Sequence, residues 1–151
     1  QDNPGRGNIY HVKGCQVIVD FAHNEHGMQA MINLALQLNG NDYFAMFSHA
    51  GDRSDEDIAK LTQAVSQLNA KLYIAAETQK YLRGRLPHEV THLSKKYLVD
   101  CGVDPSLIQI SDSPLQGAKL ALQMASPGDV ILLFVHDQRE QVHQYLIHES
   151  E

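Results

Sequence analysis

Val17-Ile18-Val19-Asp20-Phe21-Ala22-His23-Asn24 is an apolar run that breaks into a carboxylate, a histidine and an amide. A continuous apolar run, as opposed to an alternating one, suits a strand covered on both faces, and parallel sheets are covered that way. Polar residues just past the carboxyl end of such a strand stand where open α/β sheets bind ligands. The segment 26–38 then spaces Met28, Met31, Ile32, Leu34, Ala35 and Leu38 three and four apart, with Gly40 as its stop, which predicts an amphipathic helix.

Upstream, Ile9 to Val12 reads as a short strand that turns at Lys13-Gly14 into the central one, a hairpin with an antiparallel edge strand. Downstream, strand and helix alternate. Tyr43-Phe44-Ala45-Met46-Phe47 is a second buried strand, and Ser54 with Asp57 opens a helix in the manner of a capping box. A strand at 71–75 precedes a helix with Pro87 in its first turn. A short strand at 107–110, a helix opened by Ser113-Pro114, a strand at 129–135 and a helix at 138–148 complete the pattern. This order predicts a Rossmann-like, three-layer α/β domain with a mostly parallel sheet of about six strands and one antiparallel edge strand.

A chain of 151 residues makes one domain that buries roughly two thirds of its unfolded surface without disulfides or metals. Its 43% hydrophobic and 20% charged residues are ordinary for a globular protein, and no apolar run approaches the roughly 20 residues of a membrane helix. With a polar N-terminus and only Cys15 and Cys101, a cytoplasmic location is expected. A formal charge of -6 without a basic block argues against a nucleic-acid partner. The arginines gather instead at turns, as Arg6, Arg53, Arg83 and Arg85, where a small anion would meet them. A start at Gln1 suggests a piece of something longer.

The turn Asp20-Phe21-Ala22-His23-Asn24 resembles the Asp-Tyr-Ala-His-Asn turn in the C-terminal domain of the Mur ligase superfamily. Pro4-Gly5-Arg6 upstream, Gly51-Asp52-Arg53-Ser54 after the next strand and Leu82-Arg83-Gly84-Arg85 after the one beyond follow in that superfamily's order. The last two most resemble the Mur-ligase-type C-terminal domain of cyanophycin synthetases. The resemblance implies a linker at 1–8 from a preceding domain and a lid domain at 9–151 of an ATP-dependent amide ligase.

In such a ligase a carboxylate is phosphorylated and the acyl phosphate is attacked by the amino group of an incoming amino acid. For a cyanophycin-like enzyme the donor would be an aspartate side chain and the acceptor arginine. For a muramyl ligase they would be a peptidoglycan precursor and an amino acid. Carried over residue by residue, the resemblance implies that Arg6 reaches the γ-phosphate of ATP, Asp20 accepts from the ribose hydroxyls, and His23 and Asn24 face the nucleotide or the reacting carboxylate. It also implies that Arg83 and Arg85, with the loop Gly51-Asp52-Arg53, bind the acceptor. These types suit the tasks, since an ionised carboxylate only accepts and a guanidinium forks onto carboxylate or phosphate. Glu25 stands where the family usually has proline, and Ser54 where a second arginine is common. The chain contains no G-x-x-x-x-G-K-[ST] loop, so the ATP phosphates and the Mg2+ ligands are expected in a central domain.

Other readings of the same residues stay open. Asp20 also suits a helix cap, and His23 with His26 has the spacing of two metal ligands. A stand-alone ligand-binding domain or a receiver-like phosphoacceptor would use the same strand end.

Overall fold

The computed structural model describes residues 6–49, 51, 53–78 and 82–150, and for Arg6 and Gly7 the backbone alone. Strands β1 (Arg6–Val12) and β2 (Cys15–Asp20) form an antiparallel hairpin. Lys13 and Gly14 at its turn have φ of 53° and 81°, the paired left-handed conformation that matches strand twist in a two-residue loop. The chain continues through α1 (Glu25–Gln37), β3 (Tyr43–Phe47), α2 (Asp55–Ser66), β4 (Leu72–Ala76) and α3 (Glu89–Asp100). It finishes with β5 (Ile108–Ser111), α4 (Pro114–Met124), β6 (Val130–Phe134) and α5 (Arg139–Glu149).

The six strands lie in the order β1-β2-β6-β3-β4-β5, and every pair except β1 with β2 is parallel. The expected three-layer architecture with one antiparallel edge is therefore present. Successive β6 residues face opposite ways. Ile131 and Leu133 pack with Ala118 and Leu122 of α4 and with Val142 and Leu146 of α5. Leu132 and Phe134 pack with Ile32 of α1, Val65 of α2 and Leu98 of α3. A strand buried on both faces has no polar position to spare, which is why β6 and the Val17-Ile18-Val19 centre of β2 read as unbroken apolar runs.

This topology decides where a ligand can sit. Strand β6 returns between β2 and β3 and leads into α5 on one face, while its neighbours lead into α1 and α2 on the other. The loops diverge there and open a crevice at the C-terminal edge of the sheet.

Three expectations shift. Strand β1 begins at Arg6, not Ile9, because the ladder accommodates an irregularity between Arg6 and Asn8 and continues to pair Arg6 with Asp20. Pro87 lies outside α3, whose N-cap is His88 at φ 67°. The Glu77 carboxylate accepts from the His88 amide and Glu89 Oε1 from the Leu86 amide, which holds residues 86–88 as a turn ahead of the helix. Residues 105–107 form a single 3-10 turn, with Asp104 accepting from the Ser106 amide, and push β5 one residue later.

Leu132 is fully buried at the centre of the sheet. Leu132→Ala is expected to lower the unfolding free energy by about 2 to 5 kcal/mol in urea titration, since the surrounding elements close only partly over the lost side chain.

Candidate functional site

The turn after β2 is built from its own polar groups. Asp20 Oδ2 accepts from the Ala22 amide at 2.9 Å, an Asx-type bond that bends the chain out of the sheet. Asn24 is the N-cap of α1, its Oδ1 accepting from the Gly27 amide at 2.8 Å and its carbonyl from the Met28 amide at 3.0 Å. Asn24, and not Asp20, therefore fills the capping role.

Neighbouring loops hold the carbonyls of this turn. His136, just beyond β6, donates from Nε2 to the Ala22 carbonyl at 2.9 Å. Burial, before any other cause, lowers its pKa and keeps the ring neutral. Arg53, from the loop after β3, donates to the next carbonyl, that of His23. Arg139, the first residue of α5, lies with its guanidinium carbon 3.7 Å from the centroid of the Phe21 ring, a cation–π contact. Asp20, Phe21, Ala22, His23, Asn24 and Gly27 line a cleft of about 240 Å³ beside this stack.

The loop after β3 begins buried. His49 Nε2 lies 3.4 Å from Thr62 Oγ1, and burial lowers the pKa of His49 to about 3, with His136 and Arg53 adding in the same direction. Ser54 caps α2 by accepting from the Asp57 amide, as expected. Asp52 lies outside the described residues.

Arg85 closes the loop after β4 onto the loop after β3. Its Nε donates to the Gly51 carbonyl, one terminal nitrogen to Glu89 Oε2, and the other to the Arg53 carbonyl and Asp55 Oδ1, each at 2.8 Å. The hydrogen bond to Asp55, above all, raises its pKa further. The fork expected to grip an acceptor carboxylate is thus engaged by the protein itself. Arg83, at φ 51°, is exposed on the same turn. A Cβ on Gly51 would fall 1.8 Å from the Leu82 carbonyl oxygen, so the two loops meet backbone to backbone.

His23, Asn24, Gly51, Arg53, Arg83 and Arg85 therefore all lie on the loops of one sheet edge, where Asp20 ends β2 and the Arg6 backbone pairs with it. His49, His136 and Arg139 join them without having been singled out. The available signal was topological, since the residues following every parallel strand arrive at the same edge. Among the described residues no three His, Cys, Asp or Glu side chains gather to hold a metal ion, so His23 and His26 have no third ligand there. Among the described residues no helix is long and apolar enough to cross a membrane.

The family model described as Mur ligase, glutamate ligase domain matches residues 5–134. The chain belongs to this family. The cyanophycin synthetase of Geminocystis herdmanii is 28% identical over 131 residues, 87% of this chain and 14% of the length of that relative. A bifunctional folylpolyglutamate synthase/dihydrofolate synthase, solved with Mn, AMPPNP and L-glutamate bound, matches with a TM-score of 0.70 at 20% identity over 97% of this chain and 32% of that one. The murein peptide ligase mpl from Psychrobacter arcticus gives 0.67 at 20% identity over 96% and 29%. This Mur ligase domain shares its fold with both.

The buried histidine makes stability depend on pH. The unfolded chain protonates this ring near 6.5 and the folded Mur ligase domain only near 3, so the unfolded state binds more protons between those values. Stability is complete above about 6.5 and falls as pH drops toward 3. Urea unfolding is expected to show about 2 kcal/mol lost from this group between pH 7.5 and 5, and His49→Gln is expected to flatten that part of the profile.

Proposed function

We propose that this domain is the C-terminal lid of an ATP-dependent carboxylate–amine ligase, cyanophycin synthetase-like or muramyl ligase-like. It would close on N-terminal and central domains of the same polypeptide. The observation that carries this reading is the Asp20-Phe21-Ala22-His23-Asn24 turn over its cleft, in a chain of the Mur ligase family.

The geometry agrees with a nucleotide on the β2 side of the edge. The Asp20 carboxylate stands at the cleft, where it would accept from ribose hydroxyls, and Arg6 begins the strand paired with it, where it would meet the γ-phosphate. His23 and Asn24 would face the nucleotide or the reacting carboxylate. The 151 residues hold no phosphate loop, and the described residues gather no magnesium ligands, so the phosphates and Mg2+ would be held by the central domain. ATP supplies the energy to activate the donor carboxylate. This domain contributes orientation, and on closure it would exclude water from the acyl phosphate.

The acceptor amino acid would approach over the loops after β3 and β4. Gly51, Asp52 and Arg53 would border it, with Arg83 and Arg85 at the far wall. Arg85 is engaged within the protein, and Arg83 stands exposed on the same turn, where either guanidinium would meet the acceptor carboxylate.

The isolated chain is expected to release no ADP from ATP, and activity that survives repurification would overturn the lid reading. In the full-length ligase, Asp20→Ala and Arg6→Ala are each expected to lower kcat/KM for ATP roughly tenfold or more, the effect of losing one charge-assisted hydrogen bond. Arg83→Lys keeps the charge but loses the fork, and should raise KM for the acceptor amino acid with KM for ATP little changed. A rise confined to ATP would move Arg83 to the nucleotide side.

A further inference from the structure

Two arginines on separate loops each bind backbone carbonyls, and the loops they bind are consecutive. Arg85, after β4, takes the carbonyls of Gly51 and Arg53. Arg53, after β3, takes the carbonyl of His23. His23 and Asn24 belong to the turn after β2 that lines the cleft. A guanidinium keeps its charge and its planar donor geometry at any accessible pH, so each contact fixes both position and orientation.

Three further observations show that Arg85 is held firmly enough to pass on its position. Its side chain is only 15% exposed and is pinned from two sides by Asp55 and Glu89. Glu89 is itself tied back, its second oxygen accepting from the Leu86 amide at 3.2 Å. The loops also meet without intervening side chains, since Gly51 sits where any Cβ would strike the Leu82 carbonyl. By contrast, no ladder bond joins β2 directly to β3, because β6 lies between them. The sheet therefore couples those two loops only through β6, and the Arg53 contact is a direct tie between them.

We infer that Arg85 and Arg53 form a positioning relay, in which Arg85 sets the loop after β3 so that Arg53 can hold the His23 carbonyl and fix the turn after β2. Neither arginine needs to touch a substrate for this. The nucleotide half and the acceptor half of the edge become one rigid unit, and disturbing the β4 loop reaches the β2 turn across the intervening strands. The catalytic meaning of the relay rests on the ligase reading, whereas its mechanical content does not.

Hydrogen exchange on the 151-residue chain tests it without any ligase activity. The reporters are the Ala22, Gly27 and Met28 amides, which bond to Asp20 and Asn24. Arg53→Gln is expected to speed their exchange roughly tenfold, and Arg85→Lys to do nearly the same from the far loop, with β6 amides unchanged. In the double variant the two effects should not add, because both act through one contact. If Arg85→Lys instead speeds only the Arg85, Leu86 and Glu89 amides, or if the effects add, Arg85 is a local brace and the relay is wrong. Should Arg85→Lys fail to fold, Asp55→Asn combined with Glu89→Gln leaves the arginine in place but loosens it. That variant should speed the same three reporters roughly threefold, and unchanged reporters would equally overturn the relay.

Discussion

Backbone carbonyls that pass the end of a strand lose their ladder partners, and the structure depends on how they are satisfied. A buried or half-buried carbonyl without a donor costs on the order of a hydrogen bond, so each must find one. At this sheet edge side chains join backbone amides as the donors. His136 serves Ala22, Arg53 serves His23, and Arg85 serves both Gly51 and Arg53. These bonds tie together the loops after β2, β3, β4 and β6, and the cleft lies beside them.

The same economy governs charge. The chain is acidic overall, at -6, yet its edge carries Arg53, Arg83, Arg85 and Arg139. Arg85 is balanced by Asp55 and Glu89, and Arg139 rests on an aromatic face. His49 and His136 are kept neutral by burial, which lets them pack against one another's surroundings without adding to the positive charge of the edge. A neutral His136 also has a defined proton on Nε2 for the Ala22 carbonyl. Low pH would charge these rings and oppose the packing that holds the turn, so fold stability and site geometry respond to the same protons.

Glu25 shows how local rigidity can be reached by another route. A proline after Asn24 would stiffen the turn through its own φ, whereas this chain has a residue with ordinary freedom there. Rigidity comes instead from outside, through grips on two consecutive carbonyls from the loops after β6 and β3.

The sequence by itself determined the alternation of strands and helices, the buried parallel sheet and the edge at which polar residues gather. Apolar period and capping chemistry are local properties, legible in Val17-Ile18-Val19, in Ser54 with Asp57 and in Ser113-Pro114. The ordered motifs carried the family. Only the tertiary structure decided that β6 lies between β2 and β3, which brought His136 and Arg139 to the turn at 20–24 from more than a hundred residues away. It likewise decided that Arg85 is engaged by Asp55, Glu89 and two carbonyls, when its sequence context equally allowed an open fork. The physical reason is the same in both cases: a side chain's partner is set by which loops the sheet order makes neighbours, and strand order is a property of the whole fold.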